Sequence, residues 1–387
     1  SHGIEVVGTD YNKALVDSLN AGVPTFKEDG LDELFKDAVD AGIKFTNEYQ
    51  HTDTYIVAVP TPYDKFSKKV DACYVKAAVN NVLNVCNAGA TIIVESTVSP
   101  GTIDKEVRPL IAERGFVTGR DIHLVHAPER ILPGNMIYEL VNNNRTIGAD
   151  EPEVAGRVRD IYASFCKGEI VLTDIRTAEM TKVVENTFRA VNIAFANELS
   201  RICRHDNMDV YEIIRICNKH PRVNIMNPGP GVGGHCISVD PWFLVGDYPQ
   251  LTKVIGESMK VNDSQPDFVL ERLQVIMQEN NIKDASRVGL YGITYKENVD
   301  DYRDSPTLQL LESQARHLAA PLKCYDPFLE NMKLTESQYS DFDAFINDVD
   351  IVVVMVKHDH ICHNWDRLKD KIVLDCHNIC PLPNTYR

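Results

Sequence analysis

The chain is predicted to be α/β, with two Rossmann-like doubly wound domains joined by a helical middle domain. Three observations predict it. Short apolar runs alternate with helix-spaced segments in the first half, one long amphipathic stretch fills the middle, and the alternation returns toward the C-terminus. Parallel strands need crossovers, and the crossovers cover both faces of the sheet with helices.

In chain order, Ile4–Gly8 (IEVVG), Tyr55–Pro60 (YIVAVP), Thr91–Glu95 (TIIVE) and Ile122–His126 (IHLVH) read as buried strands. Asp71–Val85 and Thr102–Arg114 between them have helical spacing. From Asp174 to His205, Val184, Phe188, Val191, Phe195, Leu199 and Ile202 recur every three or four residues, the mark of one long helix with an apolar stripe. Helices at Val210–Cys217 and Lys253–Gln278 follow, interrupted by a glycine-rich loop. Arg287–Gly292 (RVGLYG), Leu322–Tyr325 (LKCY), Asp350–Val356 (DIVVVMV) and Lys371–Asp375 (KIVLD) read as the strands of the second doubly wound unit. The expected domains are residues 1–173, 174–280 and 281–387.

Composition narrows the function. Of 387 residues, 44% are hydrophobic and 25% charged, an ordinary globular balance. The net charge of −16 sets the chain against nucleic acid and anionic membrane, and no long Lys/Arg run offsets it. No apolar run approaches the about 20 residues of a membrane span, and no signal-peptide pattern is present, so the expected address is the cytoplasm. The 10 cysteines include no CxxC pair and are expected to be mostly reduced. KHDHICH (Lys357–His363) and DCHNIC (Asp375–Cys380) collect soft ligands, but their spacing fits no zinc pattern and no metal is expected.

The chemistry concentrates in Gly229–Phe243, GPGVGGHCISVDPWF. Glycines around Cys236 let backbone and substrate approach closely, which suits a reactive thiol better than a packed one. A buried structural cysteine is the competing reading. Asp240 either works beside that thiol or shapes the turn before Pro241. Lys182 and Asn186 stand at i and i+4, on one helix face roughly opposite Val184 and Phe188. An ammonium and an amide there could stabilise an alkoxide, or could be an ordinary exposed polar face. Asp10 closes the strand GIEVVGTD. In dinucleotide-binding folds an acidic residue at the second strand's end holds the adenosine ribose, about 20 residues after a glycine-rich turn. That reading puts the first strand, its turn and the first helix outside the numbered chain.

GPGVGGHCISVDPWF, AEMTKVVENTFRAVNIAFANELS (Ala178–Ser200), VAVPTP (Val57–Pro62), HAPERILPG (His126–Gly134) and GITYKENVDDYRDSP (Gly292–Pro306) together resemble the UDP-glucose/UDP-N-acetylhexosamine 6-dehydrogenase family, from residue 1 to the C-terminal end. The resemblance implies an NAD domain, a helical dimerisation domain and a UDP-binding domain, with a UDP-sugar oxidised at C6 in two NAD-dependent steps. It implies Cys236 as the nucleophile, Asp240 beside it, and Lys182 and Asn186 as oxyanion stabilisers that also touch substrate. Glu129 would activate water for thioester hydrolysis, next to Arg130 at the substrate. Thr97 would hold a water near the nicotinamide, with Asp10, Pro60, Thr61 and Arg303 on the cofactor side. Gly233 and Lys296 would contact the UDP-sugar, as would Arg222, reaching across from a second subunit of a homodimer.

The run HPRVNIMNPGPGVGGHCISVDPWF resembles the branch acting on UDP-N-acetyl-D-mannosamine, UDP-GlcNAc, UDP-GalNAc and UDP-glucose being the alternatives. Two other classes compete. A β-hydroxyacid dehydrogenase would share the K-x-x-x-N helix but needs no cysteine, and a UDP-sugar-binding relic would no longer hold NAD.

Overall fold

The apolar runs of the first half become short strands, and helices connect them. The computed structural model describes every residue except 1, 2, 27, 132 and 318–320, with only the backbone of 316 and 317. The chain divides into two compact units, 1–185 and 186–387.

The first unit opens with β1 (Val7–Thr9), α1 (Lys13–Asn20), α2 (Leu31–Asp40) and β2 (Lys44–Thr46). Asn12 caps α1, its side-chain oxygen accepting from the amides of Ala14 and Leu15. β1 and β2 pair in parallel as a sheet of their own, Val7 opposite Lys44. Next come β3 (Thr54–Val57), α3 (Cys73–Leu83), β4 (Ala90–Val94), a π-helical turn at Ile103–Val107 running into α4 (Arg108–Glu113), and β5 (Ile122–His126). α5 (Met136–Asn142), β6 (Arg145–Ala149), α6 (Pro152–Ala163) and β7 (Ile170–Thr173) complete it. β3-β4-β5-β6-β7 form one sheet in that order, parallel except where β5 meets β6. Its core joins Val57, Ile92 and Leu124 of the strands to Val75, Val79 and Val82 of α3.

Three expectations are corrected in this unit. The strand read as buried at Ile4–Gly8 is Val7–Thr9, and it is exposed, with Val6 at 51% and Val7 at 37%. It pairs only with β2 among the described residues, so few neighbours cover it. β6 and β7 escaped the reading because β6 opens on Arg145 and Thr146, polar residues that the structure buries. The antiparallel β5–β6 pair also departs from the purely parallel sheet expected.

Helix α7 (Ile175–His205) runs for 31 residues, as its spacing predicts. Its packing reverses the expected faces. Phe188 (65%), Phe195 and Ile202 are exposed, whereas Lys182, Asn186, Ala190, Ala194 and Cys203 are buried. Small alanine side chains let neighbouring backbone approach closely on the buried face, and the bulky stripe is left outside.

The second unit continues with α8 (Val210–Cys217), capped by Asp209, then α9 (Asp240–Asp247), α10 (Lys253–Asp263) and α11 (Gln265–Glu279). The single helix expected over Lys253–Gln278 breaks at Ser264, because Pro266 cannot donate to the preceding turn. β8 (Val288–Tyr291), α12 (Pro306–His317), β9 (Lys323–Tyr325), β10 (Gln338–Tyr339), α13 (Phe342–Asn347), β11 (Ile351–Val354), α14 (Asp359–His363), β12 (Ile372–Asp375) and β13 (Thr385–Tyr386) follow. The six strands lie in the order β10-β9-β8-β11-β12-β13, all parallel. The succession of strands switches from one side of β8 to the other at β11, so the ligand crevice of such a sheet opens beyond Tyr291 and Val354. Leu273 and Leu310 pack on one face, Tyr325 and Phe345 on the other. No helix among the described residues is long and apolar enough to cross a membrane.

Candidate active site

The glycine loop before α9 lies against the segment that follows β8. A Cβ on Gly233 would stand 2.7 Å from the Asp304 carbonyl oxygen and 2.8 Å from the Tyr295 Cβ, so only glycine fits there. Gly234 takes φ +84° against the Tyr295 ring and donates its amide to the Arg303 carbonyl at 3.0 Å. The Cys236 carbonyl then accepts from the amides of Val239 (3.1 Å) and Asp240 (2.8 Å), which turns the chain into α9. Cys236 itself is exposed, unlike the buried structural thiol of the competing reading.

Asp240 begins α9 and is buried. Its Oδ2 accepts from Asn186 Nδ2 at 2.6 Å, tying the thiol-bearing turn to α7. Lys182, one turn earlier on α7, is 7% exposed and Asn186 5%. Both were expected on an open face, and both are buried. A buried ammonium and a buried amide on one helix face are costly unless their polar atoms are engaged, so this face is built around polar chemistry.

The neighbouring loop carries Lys296, half-buried, whose carbonyl accepts from the Thr294 hydroxyl at 2.9 Å. His358 and Asp326, both at 0% exposure, anchor that loop. Asp326 Oδ2 accepts from the amides of Ile293 and Thr294 and lies 3.2 Å from His358 Nε2, while His358 Nδ1 accepts from the Asn298 amide at 2.9 Å. Arg303 is exposed and closes on Asp301, Nε to Oδ1 at 2.9 Å. Burial, aided by Asp301 and the Cys236 thiol, pushes the Tyr295 hydroxyl up to about 12. Arg222 sits exposed on a turn, its amide donating to His220 Nδ1 at 3.3 Å.

In the first unit, Glu129 follows β5 and both of its oxygens are engaged. Oε1 accepts from the Arg130 amide at 2.6 Å, and Oε2 is held by the buried Arg145 guanidinium. Arg145 also lies 3.6 Å from Glu95, which accepts from the Tyr162 hydroxyl at 2.9 Å. Burial raises the Glu95 pKa although Tyr162 opposes it. Arg130 donates to the Thr146 hydroxyl at 2.7 Å and pairs with Glu185 at 3.1 Å. Thr97 is half-buried just past β4, Pro60 and Thr61 follow β3, and Asp10 is half-buried at the end of β1. One Asp10 oxygen accepts from the Asn12 amide at 2.7 Å.

The sequence matches the UDP-glucose/GDP-mannose dehydrogenase family three times over: its NAD binding domain at residues 1–166, its central domain at 176–264 and its UDP binding domain at 289–381. It is 38% identical to a UDP-N-acetyl-D-mannosamine dehydrogenase of Methanocaldococcus jannaschii, over 97% of this chain and 87% of that protein. The chain belongs to this family. An NDP-N-acetyl-D-galactosaminuronic acid dehydrogenase of Ralstonia nicotianae is 37% identical over 96% of the chain and 89% of its own length. Among solved structures, the UDP-N-acetyl-mannosamine dehydrogenase of S. aureus superposes with a TM-score of 0.88 at 37% identity, covering 100% of this chain and 92% of that one.

As a UDP-glucose/GDP-mannose dehydrogenase family member, the chain carries the family's NAD binding domain. Its residues fit the dinucleotide: a half-buried carboxylate at a strand end, Asp10, can accept from a pair of ribose hydroxyls. Among the described residues, no three His, Cys, Asp or Glu side chains are arranged to hold a metal ion. Sequence reasoning missed Arg145, Glu95 and Tyr162, which brace Glu129, and also Tyr295 and the His358–Asp326 pair. The first three are scattered over 67 positions with no local motif. Tyr295 stood inside GITYKEN, where its contact with the glycine loop depends on tertiary packing.

Proposed function

We propose that this chain oxidises the C6 alcohol of UDP-N-acetyl-D-mannosamine to the carboxylate, in two NAD-dependent steps. The observation that carries the reading is the exposed Cys236, set on a glycine loop one turn before Asp240, which Asn186 holds at 2.6 Å. The relatives named above support the substrate. The Ralstonia relative keeps the galacto epimer open as a second reading, since single contacts discriminate epimers by only about 1–3 kcal/mol.

NAD, when bound, accepts a hydride at each of the two oxidations; Asp10 would hold its ribose, with Pro60, Thr61 and Thr97 along the same domain and Arg303 as a further cofactor-side cation. The remaining chemistry belongs to the chain. The Asp240 carboxylate, through a water, takes up the alcohol proton, and the Lys182 ammonium and the Asn186 amide stabilise the developing oxyanion. The Cys236 thiolate adds to the aldehyde carbon, giving a thiohemiacetal whose tetrahedral carbon bears the hydrogen that leaves in the second oxidation. The resulting thioester takes up water activated by Glu129, which releases the acid and returns the thiol. Arg130, Arg222, Gly233 and Lys296 hold the UDP-sugar. The numbered domains 1–173, 174–280 and 281–387 and a homodimer through the exposed α7 stripe complete the proposal.

NADH formed per nucleotide sugar consumed tests it. Two NADH with UDP-N-acetyl-D-mannosamine preferred over UDP-GalNAc, UDP-GlcNAc and UDP-glucose is expected; one NADH, or none with any of the four, sinks the reading.

A further inference from the structure

Within the second unit, the last turns of α7, the first half of α11 and the end of β12 enclose a cavity of about 320 Å³. That volume lies at the small end of ligand pockets. Arg204 and Arg272 both line it. Nε and Nη1 of Arg204 and Nε of Arg272 are buried without a hydrogen-bond partner. Arg204 keeps one contact, Nη2 donating to the Arg387 carbonyl at 3.0 Å. The guanidinium planes rest on aromatic rings, Arg204 over Phe268 at 5.0 Å and Arg272 over Tyr386 at 5.1 Å.

The acids bordering the cavity are committed elsewhere. Asp209 accepts from the amides of Tyr211 (2.9 Å) and Glu212 (3.2 Å) at the start of α8. Asp375 accepts from the amides of His377 (2.9 Å), Ile379 (2.6 Å) and Cys380 (2.6 Å). Burial pushes the Cys376 thiol up to about 12, so it adds no negative charge at neutral pH. Burial and the nearby Arg272 charge depress the Arg204 pKa. A guanidinium does not shed its proton under such stress, so these three buried N–H groups without partners call for an anion.

We propose that this cavity binds a phosphate-bearing anion, held by the guanidiniums of Arg204 and Arg272 against the Phe268 and Tyr211 rings. Guanidinium forks match phosphate oxygens two at a time, and the aromatic wall suits an attached ring. Pro228–Pro230 forms part of the wall. The same backbone reaches Cys236 six residues later, so an occupied cavity braces the catalytic loop. The phosphate has two possible sources: the nucleotide end of the UDP-sugar, which rests on the function proposed above, or a separate effector.

The test measures thermal shift and calorimetric binding of inorganic pyrophosphate, with UDP as the second probe. It compares the unmodified protein with Arg204→Gln, Arg272→Gln, Arg272→Lys and Lys296→Gln. Pyrophosphate is expected to raise the melting temperature of the unmodified protein and of Lys296→Gln, not of either glutamine variant, with Arg272→Lys in between. If the substrate is the source, UDP competes with pyrophosphate and the glutamine variants raise the nucleotide-sugar KM at least tenfold. If an effector is the source, the two shifts add and KM holds. Absence of any pyrophosphate shift in the unmodified protein, or an equal shift in all variants, overturns the site. Should the glutamine variants fail to fold, Arg272→Lys against the unmodified protein decides by the same criteria. Neither binding readout needs turnover, so a failed dehydrogenase assay leaves this result standing.

Discussion

Cys236 and Gly233 divide the work of one loop between chemistry and shape. Replacing Cys236 with serine removes the thiolate while keeping the fold, so the second oxidation should stop. A single-turnover assay with the aldehyde should then yield no acid, and normal acid formation would exclude Cys236 as nucleophile. Gly233→Ala forces a Cβ to within 2.7 Å of the Asp304 carbonyl, a backbone atom that cannot swing away. Overpacking of this kind costs about 1–3 kcal/mol, and denaturant unfolding of the variant measures it. His126 makes a separate prediction about pH. Complete burial brings its pKa down from 6.5 to about 4. Between those values the unfolded chain binds the proton that the folded chain refuses, so stability falls as pH falls through this window. The loss approaches about 3 kcal/mol near the lower end. His126→Gln should flatten that part of the stability–pH curve, and an unchanged slope would assign the effect elsewhere.

Helix α7 shows how much an element's role depends on which face its neighbours take. The period of Val184, Phe188, Phe195 and Ile202 was legible in the sequence, and so was the helix length. The burial of Lys182 and Asn186 was not, because periodicity reports that two faces differ without saying which one meets the core. Three exposed apolar residues at Phe188, Phe195 and Ile202 favour a second copy of the chain as their cover. Burying one phenylalanine is worth about 1.5–3 kcal/mol, so Phe188→Glu with Phe195→Glu should weaken a dimer by about 100-fold or more. Light scattering across a concentration series is the measurement. A monomeric unmodified protein would remove this role from the stripe.

Two compact units carrying separate family domains predict ligand effects that are spatially divided. A saturating ligand stabilises the native state that binds it, by about 2.7 kcal/mol at a hundred times its Kd. Hydrogen exchange with UDP should therefore slow across 289–381 and the glycine loop, and NAD should slow the loops after β3 and β4. Protection by UDP confined to the first unit would contradict the domain assignment. The sequence by itself determined the strand–helix alternation, the long central helix and the loop that displays Cys236, because periodicity and glycine placement are local signals. It also determined the family, since five ordered motifs survive without any coordinates. Only the tertiary structure decided that the loop seats on Tyr295, that Arg145 braces Glu129 and that Arg204 meets Arg272. Those contacts join residues far apart in the chain, and their energies come from burial and charge pairing that exist only once the chain has folded.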